Sequence, residues 1–153
     1  MSSPPHIPRP PGTDNIGNLL RDPSLYLDAE IHAALDAAGF GDLRPPHLAI
    51  GQFIADDGSR ITELAELAQI TKPSVVYLVD ELERLGYAVR RPDPADARAK
   101  LVAMTERGLA VQAVGRETIA RVEREWASLL GAGRMRELRG LLSDLRDELW
   151  PGG

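Results

Sequence analysis

The sequence predicts a mostly α-helical single domain that contains one short β-hairpin. Aromatic residues are only 5% of the 153 residues, so the core must be built mainly from Leu, Val, Ile and Ala, the usual material of packed helices. Apolar residues recur at helical spacing over most of the chain. Two β-type runs, 87–91 and 100–104, enclose a stretch rich in turn formers. A hydrophobic content of 43% with 27% charged residues suits one folded, soluble domain.

The chain divides by composition into an arm and a domain. Five of the first eleven residues are prolines, which predicts a flexible arm over residues 1–12. The single domain then covers residues 13–153. Its helical flanks, 13–40 and 106–150, surround a different central segment, 45–105.

Two helices are expected before the centre of the chain. The first begins at about Asp14 and stops at Gly39 or Gly41. The second begins at Pro45, since proline is tolerated in a first turn, and runs to about Ala55, where Asp-Asp-Gly ends it.

Two amphipathic helices joined by about three residues follow. Thr62 is the expected N-cap of the first helix, and Thr71 is that of the second. Pro73 fits the first turn of the second helix, and Gly86 marks its end. The pair predicts a helix-turn-helix. The apolar stripe of the second helix consists of Val75, Leu78, Val79, Leu82 and Leu85.

The segment after this pair predicts a wing. Runs 87–91 and 100–104 read as strands, and residues 92–99 between them read as the connecting turn. A hairpin that directly follows a helix-turn-helix has the position of a wing.

The helical flanks carry more apolar surface than the centre can cover. Thr105 is the expected cap of a long helix that the glycines of 131–133 break, and a last helix is expected from about Arg134 to Trp150. A winged unit of about 50 residues buries surface inefficiently, so we expect a second copy of the chain to cover these stripes. An intrachain helical bundle is the alternative.

Positive charge is concentrated on the proposed wing. From Arg84 to Arg107 there are six basic and three acidic residues, a net charge of +3, whereas the whole chain carries −5 and the remainder therefore −8. A local basic patch is what contact with phosphates requires. The alternative is a hairpin that is merely solvated.

Several function classes lack their sequence signals. Cysteine is absent, and the three histidines, His6, His32 and His47, are widely separated, so neither thiol chemistry nor a metal site is expected. No nucleotide loop, catalytic arrangement or cofactor motif is visible, and we expect no enzyme and no cofactor. No apolar run reaches about 18 residues, so we expect a cytoplasmic protein with no membrane partner.

The central segment resembles a known family along Ile61 to Gly108. It reads "ITELAELAQITKPSVVYLVDELERLGYAVRRPDPADARAKLVAMTERG" and is similar to the winged helix-turn-helix core of the MarR (multiple antibiotic resistance regulator) family of bacterial transcription factors. The resemblance lies in the Leu-Ala helix, the Lys-Pro-Ser start of the recognition helix, the Asp-x-Arg wing and the Met-Thr-x-x-Gly transition. It implies a homodimer that reads a pseudo-palindromic operator in double-stranded DNA, acts as a repressor and is released by a small molecule, often an aromatic acid.

The resemblance also implies roles for individual residues. Arg98 matches the wing arginine that enters the minor groove, and Asp96 matches the acidic partner that holds it by an ion pair. Arg91 and Lys100 are expected to contact phosphates, and a helix N-terminus such as that after Thr71 attracts phosphate in any case. The residues expected at DNA are Thr62, Thr71, Lys72, Pro73, Ser74, Val76, Tyr77, Arg84, Arg91, Asp96, Arg98 and Lys100.

Three positions depart from the family pattern. The family usually has a Ser or Thr followed by Arg where this chain has Val76 and Tyr77, and often an Arg where it has Ala97. Positions 76 and 77 lie off the apolar stripe, and we expect them to face DNA, with Val76 on a thymine methyl group and Tyr77 as a contact residue. Their burial against a neighbouring element is the alternative.

An effector would be expected between the dimerisation helices and the winged unit. The candidate ligand-binding residues are Tyr26, His32, His47, Phe53 and Trp126. Each histidine has an ordinary core or surface role as its alternative. The competing function is a winged-helix module that regulates a partner protein without binding DNA, which the departures at Val76, Tyr77 and Ala97 keep open.

Overall fold

The computed structural model describes residues 15–151, so the predicted arm over 1–12 lies outside the described residues. Helices account for most of this range, as the sequence predicts, and one antiparallel hairpin interrupts them. In chain order the elements are α1 (Ile16–Ala37), α2 (Pro45–Gly51), α3 (Ile61–Ala68), α4 (Lys72–Arg84), β1 (Ala88–Asp93), β2 (Asp96–Met104), α5 (Glu106–Leu130) and α6 (Ala132–Leu149). None of these helices is long and apolar enough to span a membrane.

The described chain forms two compact units. One unit combines residues up to Glu30 with those from Glu117 onward, and the other runs from Ile31 to Arg116. The second unit, called the winged unit below, contains α2, α3, α4 and the hairpin. Its core is aliphatic apart from one tyrosine, as the low aromatic content predicts, and its most buried side chains include Ile50, Leu64, Val75, Val79, Leu82, Tyr87 and Val102.

Helices α2 and α3 differ from their predicted bounds. Helix α2 ends at Gly51 rather than near Ala55, because the chain continues in tight turns in which the N–H groups of Phe53 and Ile54 donate to carbonyls three residues earlier. Thr62 is not the N-cap of α3. Arg60 holds that position in an extended conformation, and its N–H donates to the Glu63 carboxylate at 2.9 Å.

Helix α4, the second helix of the helix-turn-helix, is formed as predicted. Three residues separate it from α3, Thr71 is its N-cap, and Pro73 lies in its first turn. Gly86 follows the last turn with φ +81°, a conformation that glycine adopts at little cost. The helix-turn-helix is confirmed, and the buried side chains of α4 are Val75, Leu78, Val79 and Leu82.

The wing is confirmed, but its turn is tighter than predicted. The strands extend through most of the predicted 92–99 turn, and only Pro94 and Ala95 connect them. A further backbone bridge was not predicted: the N–H of Ser59 donates to the Val102 carbonyl at 2.9 Å, and the reverse bond is 2.8 Å. Strand β2 therefore pairs on both edges.

The transition from the wing to α5 depends on a close backbone approach. Thr105 caps α5 as predicted, since its Oγ1 accepts the Gly108 N–H at 3.2 Å and donates to the Gly86 carbonyl at 2.6 Å. A Cβ on Gly108 would lie 2.1 Å from the Tyr87 carbonyl oxygen, so only glycine fits. The predicted break after α5 is a single residue, Gly131, and α6 starts at Ala132 rather than Arg134.

Candidate nucleic-acid interface

The N-terminus of α4 exposes a group of polar residues. Thr71 Oγ1 accepts the Ser74 backbone N–H at 3.3 Å and lies 2.8 Å from Ser74 Oγ. Lys72 and Pro73 occupy the first turn between them, and all four residues are exposed. Backbone N–H groups, two hydroxyls and one ammonium at a helix N-terminus can together bind a phosphate.

The outward face of α4 carries Val76 and Tyr77. Val76 is 40% exposed and Tyr77 is 58% exposed, so the alternative that both are buried is wrong. Pro73, Asp80 and Arg84 share this exposed face. An aliphatic group and a phenol are thus presented where a recognition helix meets base edges.

A hydrogen-bonded ring joins α4 to the start of α2. The Arg44 N–H donates to His47 Nδ1 at 3.1 Å, His47 Nε2 donates to Glu81 Oε2 at 3.1 Å, and the Arg44 guanidinium donates to the same Glu81 oxygen. His47, with 2% of its surface exposed, has both ring nitrogens engaged. The hydrogen bond from His47, and then the charge of Arg44, hold the pKa of Glu81 below its usual value. His47 thus has the core role that was the alternative to its predicted ligand contact.

The wing presents its cations on both faces. Residues two apart on a strand share a face, which places Arg98 with Lys100, whereas Arg91 lies opposite Leu101 on the other face. All three cations are exposed, and the Arg91 guanidinium donates to the Asp57 carbonyl. The predicted ion pair between Asp96 and Arg98 is wrong for this structure. The Asp96 carboxylate instead accepts the Arg98 backbone N–H at 3.0 Å, which is a local turn contact.

Other charged side chains near the wing form ion pairs within the winged unit. Arg90 pairs with Asp80 at 2.8 Å and with Glu83, which ties β1 to α4. Arg107 lies 3.4 Å from the Asp42 carboxylate. Of the described residues, the cations that remain exposed on the recognition helix and wing without an ion pair to an acidic side chain are Lys72, Arg84, Arg91, Arg98 and Lys100. All five belong to the set predicted to contact DNA.

Two residues that position the wing, Asp93 and Arg60, were not predicted from the sequence. The buried Asp93 accepts from Arg60 Nε at 2.8 Å and from the Ala95 N–H at 2.8 Å. These hydrogen bonds, from Ala95 first and then Arg60, hold the pKa of Asp93 below its usual value. Asp93 stands before a proline in a turn-forming stretch, which signals a turn but not the partner 33 residues earlier.

The predicted ligand-binding residues fall in both units. Tyr26 and Trp126 belong to the first unit, and their rings lie 6.4 Å apart at 38°. Burial, and then the nearby charge of Glu30, raise the pKa of Tyr26. His32 and Phe53 belong to the winged unit and are partly buried, Phe53 against its core. Within residues 15–151 no cluster of three acidic or histidine side chains could hold a metal, and His6 lies outside that range.

Comparisons with known proteins agree with this geometry. A model of the MarR family matches residues 42–99. The transcriptional regulator Tm0710 from Thermotoga maritima is 28% identical, with a TM-score of 0.60 over 87% of this chain and 92% of its own. CouR from Rhodococcus jostii RHA1, bound to p-coumaroyl-CoA, is 25% identical, with a TM-score of 0.69 over 92% and 95%. CouR bound to a 23-mer DNA duplex is 25% identical, with a TM-score of 0.67 over 86% of this chain and 92% of its own.

No curated protein matches the sequence. The family model covers the helix-turn-helix and most of the wing, and the solved structures extend the likeness to nearly the whole fold. Over residues 42–99 the chain is similar to the MarR family, and its fold is similar to that of solved transcriptional regulators.

Proposed function

We propose that this protein is a homodimeric repressor that binds a pseudo-palindromic DNA operator through α4 and the wing and is released by a small-molecule effector. The observation that carries DNA binding is the distribution of exposed cations. Lys72, Arg84, Arg91, Arg98 and Lys100 remain without acidic partners on two elements of one unit, in a chain whose net charge is −5. Local positive charge on an acidic protein favours DNA at this surface and disfavours it elsewhere.

Helix α4 and the wing are proposed to contact different grooves of the DNA. The exposed N-terminal half of α4 enters the major groove, where Val76 and Tyr77 meet base edges and the Thr71–Ser74 turn binds a phosphate. Arg98 at the wing enters the minor groove, and Arg91 and Lys100 contact the flanking phosphates. Thr62, exposed in the first turn of α3, contacts the DNA backbone of the same site.

The homodimer is supported by apolar surface in the first unit. Leu129 is 81% exposed and Leu141 61% exposed, which is costly to leave in water when many such side chains occur in one unit. The other large exposed apolar side chains of this unit are Ile16, Leu19, Leu20, Leu25, Ile119, Leu130, Leu138, Leu142, Leu145, Leu149 and Trp150. A second copy would cover them and would supply the second winged unit that a pseudo-palindrome requires.

The effector is proposed to be an aromatic acid or a thioester of one. CouR is bound to p-coumaroyl-CoA in its structure, and this chain holds a Tyr26–Trp126 ring pair that an aromatic group could join. His32 and Phe53 stay as further candidates. Trp126 fluorescence in a Trp150→Phe background would report such binding directly.

The test of DNA binding is selection of binding sites from random duplexes with the purified chain. The selected sequences should form two related half-sites, and titration at rising salt should give a log–log slope of several released counterions. Absence of any selected sequence, or a flat salt dependence, would contradict the proposal. Capture of a protein partner in place of DNA would favour the interaction module.

A further inference from the structure

We propose that Gln112, in the part of α5 that belongs to the winged unit, is a positioning residue that holds the wing in place for its contact with DNA. It acts through residues 52–60, called the α2–α3 loop below, which connect those helices and also contact both strands of the wing. This inference rests on the proposed DNA-binding function. The sequence does not point to Gln112, because its partners lie 58 and 61 positions earlier in the chain.

The side-chain amide of Gln112 binds the end of α2 and the start of the loop. Its Nε2 donates to the Gly51 carbonyl at 3.1 Å and to the Ile54 carbonyl at 3.4 Å. An amide nitrogen carries two hydrogens, so it can serve both carbonyls at once. Gly51 and Ile54 are buried, and a buried carbonyl that loses a donor is costly. Gln112 therefore fixes the first turn of the loop against α5.

Short-range hydrogen bonds connect this first turn to the end of the loop. The Ser59 hydroxyl donates to the Phe53 carbonyl at 3.3 Å and accepts the Ala55 N–H at 3.0 Å. The Gly58 N–H donates to the Ala55 carbonyl at 2.9 Å. Ser59 is only 4% exposed, so water has little access to these bonds. A displacement of the first turn is therefore passed on to Ser59.

The end of the loop contacts both strands of the wing. Ser59 exchanges two backbone hydrogen bonds with Val102 on β2, at 2.9 and 2.8 Å. The Asp57 carbonyl accepts a hydrogen bond from the guanidinium of Arg91 on β1. Arg91 is itself a proposed phosphate contact, and β2 also carries Arg98. Cations that are already held in position lose less entropy when they bind DNA, so loss of Gln112 should weaken the contribution of the wing.

The experiment compares Gln112→Met with the parent, each alone and combined with Arg98→Ala or with Lys72→Ala. Methionine is close to glutamine in length but has no N–H to donate. Each protein is titrated against the selected operator. Hydrogen exchange of the Ser59 and Val102 amides is measured in the DNA-free protein together with that of amides inside α4, and thermal unfolding is followed for all variants.

Gln52→Met is the matched control. The Gln52 side chain also donates to a backbone carbonyl, that of Ala49 at 3.2 Å, but it is exposed and its contact stays at the end of α2. Gln112→Asn is a second test variant, because it keeps the amide but shortens the side chain by one methylene. It supplies the same measurements if Gln112→Met unfolds too readily.

The expected result is confined to the wing. Arg98→Ala should weaken binding by about fivefold or more in the parent, but by about twofold or less in Gln112→Met. Lys72→Ala should weaken binding by the same factor in both backgrounds, because α4 keeps its position. The Ser59 and Val102 amides should exchange about tenfold faster in Gln112→Met, whereas amides inside α4 should stay unchanged. Gln52→Met should match the parent throughout.

Two results would overturn the proposal and leave the proposed function intact. Equal costs of Arg98→Ala in the two backgrounds would make Gln112 a contributor to stability only, whatever the exchange rates. Unchanged exchange at Ser59 and Val102 would mean that the loop holds the wing without Gln112. If the parent protein selects no DNA, this proposal and the proposed function fall together.

Discussion

The carboxylate of Asp93, at the end of β1, accepts a hydrogen bond from Nε of Arg60, the N-cap of α3, at 2.8 Å. The same carboxylate accepts the N–H of Ala95 in the wing turn at 2.8 Å. One buried acidic group thus joins the turn of the wing to the start of the helix-turn-helix. Its removal should therefore perturb both the wing turn and the start of α3.

We expect Asp93→Asn to lower the free energy of unfolding at neutral pH. The folded-state pKa of Asp93 is depressed, so its carboxylate stabilises the fold above its unfolded pKa of about 3.9 and loses that effect as pH falls through the lower folded pKa. The difference between parent and variant should therefore be largest at pH 7 and shrink below about pH 4. Urea unfolding at several pH values measures it.

The partner supplies the control for this prediction. Arg60→Ala should be destabilising in the same direction, and Arg60→Ala combined with Asp93→Asn should be less than additive, because both changes remove one interaction. If the difference in free energy of unfolding between the parent and Asp93→Asn stays constant from pH 7 to about pH 3, the effect of the substitution comes from shape rather than charge.

Gly108→Ala should destabilise the winged unit by about 1–3 kcal/mol, the usual cost of overpacking. The added Cβ would meet the Tyr87 carbonyl at 2.1 Å, and the backbone would have to move. At Gly115, also within α5, an added Cβ would meet nothing within 4 Å, so Gly115→Ala should instead stabilise by about 0.5–1 kcal/mol. Thermal unfolding of the pair gives the comparison, and equal effects would contradict it.

Arg98→Ala should weaken operator binding by about 1–3 kcal/mol while leaving the oligomeric state unchanged. Arg98 is an exposed cation whose charge has no acidic partner among the described residues, so its removal costs little within the free protein. Arg116→Ala, an exposed arginine on α5, serves as the control for net charge. Unchanged affinity of Arg98→Ala would remove Arg98 from the minor groove.

The contact of Val76 with thymine can be tested from both sides of the interface. Replacing the contacted thymine by uracil removes only the methyl group, and Val76→Ala removes the two methyl groups that would touch it. Each change alone should weaken binding, by about 1 kcal/mol, and the combination should weaken it no further. Full additivity at every thymine of the half-site would place Val76 elsewhere.

Leu141→Glu should shift the protein from dimer to monomer. Leu141 is 61% exposed on α6, and a carboxylate buried in an apolar interface without a partner is strongly unfavourable. Leu67→Glu is the control, since Leu67 is 55% exposed on α3 of the winged unit. Light scattering across a dilution series distinguishes them, and a Leu141→Glu dimer as tight as the parent would contradict the proposed interface.

Local signals predicted the elements well. The helix-turn-helix follows from the cap at Thr71, the stop at Gly86 and the stripe between them, all of which are properties of neighbouring residues. The N-cap of α3 was misplaced because Thr62 is a better cap by type than Arg60, yet the Glu63 carboxylate already satisfies the Arg60 N–H. Side-chain preference was overridden there by a contact that propensity does not encode.

Long-range contacts account for what the sequence did not reveal. The cation pairs of Arg60 and Arg90, and the ring around His47, join residues that are 33, 7 to 10 and 34 positions apart. No periodicity signals such pairs, so the sequence could nominate exposed cations by type but could not tell which ones the fold would neutralise. His47 was proposed as a ligand contact because the sequence likewise does not reveal its hydrogen bonds with Arg44 and Glu81.

The backbone bridge between Ser59 and Val102 has a consequence for the length of the DNA site. Ser59 directly precedes the N-cap of α3, and Val102 lies in the strand that also carries Arg98 and Lys100. Two hydrogen bonds therefore fix the distance between the wing and the helix-turn-helix within each winged unit. In the proposed complex, the protein therefore sets the number of base pairs between the major-groove contact of α4 and the minor-groove contact of the wing. We expect operators that alter this number by insertion to bind weakly even when every contacted base is retained.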